Sequence, residues 1–167
     1  MPTASGPCPD DICGVWKQRL DRCQSLCPLL EGLGLPKAIL WAACPVVDNL
    51  QATLKISCPA NNQLEIVDKT RLFGRNVTLT TRDGAEVEML SKGRKKPFFL
   101  SACTQHESAV QTCRLSSRGP GHYTRIERFL SDTERDGTGR PMLVERHVLT
   151  RPGIEDVVVE RHFESCK

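Results

Sequence analysis

Two arginines stand in stretches whose alternation would otherwise gather apolar side chains on one face. Near the C-terminus, a period of two puts Val157, Val159, Arg161 and Phe163 on one side, and Asp156, Val158, Glu160 and His162 on the other. In the stretch 122–132 the same period groups Thr124, Ile126, Arg128 and Leu130. A guanidinium keeps its charge, so turning either face into a core demands water, a carboxylate or another polar partner for it. An anionic ligand head would serve. A one-residue slip of register would instead turn both arginines to solvent.

Other chemistry is sparse. The sequence holds no G-x-S-x-G, H-E-x-x-H, Walker A or dinucleotide fingerprint, so no catalytic residue is assigned and an enzyme is not expected. The four histidines, His106, His122, His147 and His162, fall in turns or strands without helical ligand spacing. His147 and His162 come within reach of each other across the last hairpin if they share a face, although exposed strand histidines are the commoner arrangement. Nine cysteines give no C-x-x-C pair, and Cys23 and Cys27 form an i, i+4 pair without a second pair nearby, so neither a metal nor a cofactor is expected. Such a count reads as a disulfide framework in a secreted chain and as buried thiols in the cytosol. The N-terminal residues lack a basic region followed by an apolar one, which reads as a cytoplasmic protein or a mature form, while the cysteines and the Asn76-Val77-Thr78 sequon favour a secreted one.

Those side chains need a scaffold. A chain of 167 residues with 39% hydrophobic and 26% charged residues suits one globular domain, expected over 12–167 behind a flexible arm at 1–11. A net charge of +3, with both signs scattered along the chain, gives no footprint for nucleic acid. The longest apolar patch, Ile39 to Val47, is too short to span a bilayer.

Gly14 to Leu20 reads as a strand. Leu26, Leu29, Leu30 and Leu33 then recur at helical spacing, and a second helix is expected from Pro36 to Cys44, ended by Pro45. From Asn49 the period is close to two, with nine further strands: 49–57, 63–72, 76–81, 85–90, 97–105, 109–116, 122–132, 141–150 and 154–165. Arg82-Asp83-Gly84 reads as the hairpin turn between the strands 76–81 and 85–90. Ten strands in an open sheet leave two edges, and closure removes them. The expected fold is all-β, a ten-stranded antiparallel up-and-down barrel with a two-helix lid between its first and second strands.

Gly14-x-Trp16-Lys17, the helix pair directly after it, Thr70-Arg71-Leu72-Phe73-Gly74-Arg75-Asn76-Val77-Thr78-Leu79 and the terminal Val158 to Glu164 together resemble the fatty-acid-binding proteins. These are intracellular lipid-binding proteins of the calycin superfamily, and the likeness covers residues 12–165. The helix pair and the lack of a helix after the last strand separate the pattern from the lipocalins. The resemblance implies transport of a fatty acid or similar amphiphile inside the barrel, with an anion-binding Arg-x-Tyr on the last strand and a second arginine on the eighth. The matching positions are Arg161, Phe163 in place of the tyrosine, and Arg128. Ile126, Val159, Phe73 and Trp16 complete the ligand-contacting set, although Trp16 also suits the core, as Trp41 suits packing of the lid. Leu29, Leu30, Leu33 and Ile39 fall where the resemblance puts the ligand's entrance. The chain is expected to act as a monomer. The basic turn Lys92-Gly93-Arg94-Lys95-Lys96 offers a transient contact with anionic membrane. A retinoid, bile acid or pigment carrier, and a secreted disulfide-stapled barrel acting as an interaction or protective protein, are the alternatives.

Overall fold

The period-2 stretches form strands in a computed structural model that describes residues 11–89, 98–105, 108–115 and 119–166. The strands are β1 (Gly14–Gln18), β2 (Ala52–Ser57), β3 (Gln63–Thr70), β4 (Gly74–Thr81), β5 (Val87–Met89), β6 (Phe98–Gln105), β7 (Ser108–Arg114), β8 (Tyr123–Arg135), β9 (Pro141–Arg151) and β10 (Ile154–Ser165). They make one ten-stranded sheet in the order β4-β3-β2-β1-β10-β9-β8-β7-β6-β5. β1 is the keystone, pairing antiparallel with β2 on one side and β10 on the other. This pairing joins the first half of the meander to the last.

The expected hairpin at Arg82-Asp83-Gly84 does not form, because no ladder joins β4 to β5. Asp83 bridges to Cys103 instead, and Gly84 N–H donates to the Ala102 carbonyl at 2.8 Å. The Arg82 side chain, itself buried, donates to the Asn61 carbonyl at 2.9 Å and to Thr104 Oγ1 at 3.0 Å. These bonds divert the turn across to β6. They hold the two sheet ends together at one point of the wall.

Between β1 and β2 the chain makes a 3-10 turn at Leu20–Arg22 and two helices, α1 (Cys27–Gly32) and α2 (Lys37–Asp48). Pro45 was expected to end the second helix, yet α2 runs through it to Asp48. An internal proline costs a helix about 3 kcal/mol because it removes one N–H and crowds the preceding turn. Contacts on both sides of Pro45 offset that cost. Asp48 accepts from Ser25 Oγ at 2.6 Å and from Leu26 N–H at 3.0 Å, Asn49 Nδ2 donates to the Pro45 carbonyl at 2.7 Å, and a Cys27–Cys44 disulfide joins the helices.

α1 packs against β9 and β10. The approach is close at Gly32, where an added Cβ would lie 2.6 Å from Leu149 Cδ2. α2 carries no buried residue, and Trp41, expected to pack the lid down, is 85% exposed. The apolar core gathers instead at one end of the barrel. There Ile12, Trp16, Leu54, Ile56, Leu64 and Phe163 bury one another.

Candidate ligand-binding site

Register builds the site. Arg128 on β8 stands opposite Glu145 on β9, which stands opposite Arg161 on β10. The rung on one side is Leu130, Leu143 and Phe163, and on the other Ile126, His147 and Val159. Directly opposed side chains lie about 5 Å apart, so these nine residues form a continuous inward patch with one charged rung across its middle. β7 adds Gln111 beside Ile126 on the same face.

The three charges are almost fully out of water, with Arg128, Glu145 and Arg161 exposed by 5%, 1% and 8%. Glu145 joins them. Its Oε2 accepts from Arg128 Nε and Nη2, both at 2.9 Å, and its Oε1 accepts from Arg161 Nη1 at 3.0 Å and His147 Nε2 at 2.7 Å. Arg128 Nη1 donates to Gln111 Oε1. Arg161 Nη2 donates to Gln18 Oε1 at 2.9 Å, and the Arg161 guanidinium lies 5.2 Å from the centroid of the Phe163 ring. Burial by itself would raise the Glu145 pKa, but the charges of Arg128, His147 and Arg161, with the His147 hydrogen bond, outweigh it and hold the carboxyl well below its ordinary range.

A second carboxyl belongs to this field. Asp68 on β3 is raised above its ordinary pKa, first by burial and then by the Glu145 charge, against the opposing pull of Arg161, Arg128 and His147. Its Oδ1 is buried without a hydrogen-bond partner, and so is Nε of Arg161. A raised carboxyl pKa means that ionisation weakens the fold, a penalty absent below pH 3.8 and complete once pH has risen past the folded-state value. Asp68→Asn is therefore expected to raise Tm at pH 7 and to leave it unchanged at pH 3. Equal Tm for the two proteins at pH 7 would refute this.

The expected contact residues separate into three groups. Arg128, Arg161, Ile126, Val159 and Phe163 come together on the inward patch. Trp16 does not join them: it is packed in the closed end, its Nε1 donating to the Ile12 carbonyl at 2.8 Å. Phe73 and Ile39 lie apart at the rim, where with Ala38, Ala42, Val46 and Val47 they line an apolar groove of about 440 Å³ beneath α2. Leu29 and Leu30 on α1, and Leu33 just after it, are half-buried and do not line that groove.

His147 and His162 fall on opposite faces. His162 points outward, its Nδ1 2.8 Å from Glu134 Oε2. Asn76 of the sequon is exposed on β4. The basic turn 92–96 and His106 lie outside the described residues. Among the described residues no cluster of His, Cys, Asp and Glu is disposed to hold a metal ion, and no helix is long and apolar enough to cross a membrane.

Glu145, Gln18, Gln111 and Asp68 were not singled out from the sequence, and His147 was weighed only as a possible neighbour of His162. No alternation could have found Glu145 or His147, because both faces of their strand carry charged residues among apolar ones.

No family model matches the chain, and no curated protein does. Solved structures do. A fatty-acid-binding protein of Echinococcus granulosus superposes with a TM-score of 0.63 at 10% identity, covering 95% of this chain and 99% of that one. A Schistosoma mansoni fatty-acid-binding protein in complex with arachidonic acid gives 0.66 at 14% identity, over 94% of this chain and 97% of that one. An abundant heat soluble protein of Ramazzottius varieornatus gives 0.65 at 13%, over 93% and 95%. The chain has the fatty-acid-binding-protein fold, and one fold serves several functions.

Proposed function

We propose that this protein is a non-enzymatic carrier that takes a small hydrophobic ligand with a polar end into its barrel. The observation that supports this most is the charged rung Arg128–Glu145–Arg161 set between Phe163 and Leu143 on one side and Ile126 and Val159 on the other. Such a wall buries an apolar chain and offers its head a few fixed polar groups, which is how small-molecule sites achieve both affinity and orientation. The groove beneath α2 at Ile39 and Phe73 provides an apolar way in. The acid and base of the site, Glu145 and His147, are committed to each other and to the arginines, which suits holding a ligand better than moving its protons. The arachidonic acid of the Schistosoma mansoni structure supports a ligand of lipid size.

Affinity would come mainly from the chain, at about 0.8 kcal/mol for each CH₂ removed from water. Titration with Nile red, an uncharged fluorescent probe, tests the reading. Saturable binding with unit stoichiometry, weakened at least about ten-fold (1.4 kcal/mol) by Ile126→Asp on the inward patch, is expected. A failure to saturate would remove the carrier function.

A further inference from the structure

The buried rung says more about the ligand than that it is apolar. A pair of inward arginines left alone would be a receptor for a carboxylate, but here Glu145 already occupies that place. It takes two donors from Arg128 and one from Arg161, as an incoming carboxylate would. His147 turns to the same carboxylate, and Asp68 stands in the same field. The place between the arginines is thus already filled. A further carboxylate would have to displace Glu145 or lie against it.

What the site still lacks is one acceptor and one donor. Arg161 Nε has a hydrogen to give and Asp68 Oδ1 a lone pair to fill, and neither has a partner. A buried polar atom left unpaired destabilises its surroundings, so a ligand group that meets both is favoured twice. Resting on the carrier reading above, we infer that the barrel selects an uncharged amphiphile whose head group both accepts and donates a hydrogen bond, a long-chain amide or alcohol, and rejects the corresponding carboxylate. The head's oxygen accepts from Arg161 Nε, and its N–H or O–H donates to Asp68.

Arg151, on the same face of β9, does not alter this arrangement. It lies six residues beyond Glu145, about 20 Å along the strand, against Gly32 of the lid.

Competition against Nile red with oleamide, oleyl alcohol and oleate, each below its aggregation concentration, decides the matter. In the unmodified protein the amide and alcohol are expected to displace the probe at least about ten-fold more tightly than oleate, a difference of 1.4 kcal/mol. Glu145→Gln removes the built-in anion and should raise oleate affinity relative to oleamide by a similar factor. Oleate binding as tightly as oleamide to the unmodified protein would overturn the inference. That ranking decides even if the Glu145 variant does not fold. Failure of Nile red itself to bind would instead remove the carrier reading, and this inference with it, so the two failures are distinguishable.

Discussion

Glu145→Ala is expected to destabilise the protein by about 3–5 kcal/mol, the cost of stranding buried charge by removing one partner of a buried ion pair. Two guanidiniums lose their shared acceptor in this case, with Arg128 at 5% and Arg161 at 8% exposure. Neither can swing to solvent from mid-strand without breaking its rung. The urea midpoint reports the loss, and a change below about 1 kcal/mol, the scale of a surface pair, would show that the carboxylate carries no such burden. Replacing all three by apolar residues, Arg128→Met with Glu145→Leu and Arg161→Met, should recover most of the lost stability. Such a protein would keep its barrel and lose its discrimination between head groups.

The same carboxylate makes the fold sensitive to acid. Its folded-state pKa lies well below the ordinary 4.5, so the stability it contributes is fully present above that value and is lost as pH falls through the folded-state pKa. A plot of unfolding free energy against pH should therefore fall more steeply below 4.5 for the unmodified protein than for Glu145→Ala. Parallel curves would contradict the buried pair.

Phe163→Ala should be comparably damaging, at about 3–5 kcal/mol, because deleting a buried ring forfeits its transfer energy and leaves a cavity. Phe163 has no exposure at all and opposes Leu143 on one neighbouring strand and Gln18 on the other. Its loss is also felt one rung away. The Arg161 guanidinium lies over the ring, a contact worth about 0.5–2 kcal/mol, and Gln18 takes one of that arginine's hydrogens. Phe163→Leu should keep most of the packing and lose the ring contact alone, so a loss equal to that of the alanine variant would point away from cavity formation.

The fold was legible because ten short strands leave a strong period-2 imprint and closure is the economical way to hide their edges. The inward arginines were legible for the same reason, since each interrupts an otherwise apolar face. Glu145 was harder. β9 alternates Leu143, Glu145, His147 and Leu149 against Met142, Val144, Arg146 and Val148, so both of its faces carry charge among apolar residues and neither declares itself inward. Only pairing with Arg128 and Arg161 settles which face is which. Asp68 was hidden by distance along the chain, because its relation to residues 60 to 93 positions away exists only once β1 joins the two halves of the sheet. Pro45 misled for a local reason: a helix-breaking residue was read without the Cys44 disulfide before it and the Asp48 contacts beyond it.

The two tryptophans stand at opposite extremes of environment, one hydrogen-bonded in the closed end and the other bare on the lid. Their fluorescence divides accordingly. Trp16 is expected to supply the blue-shifted fraction that iodide cannot quench, and Trp41 the red-shifted fraction that it can. A ligand-induced change in the quenchable fraction belongs to the lid. A change in the remainder belongs to the closed end, so the chain carries its own pair of optical reporters for the two ends of the barrel.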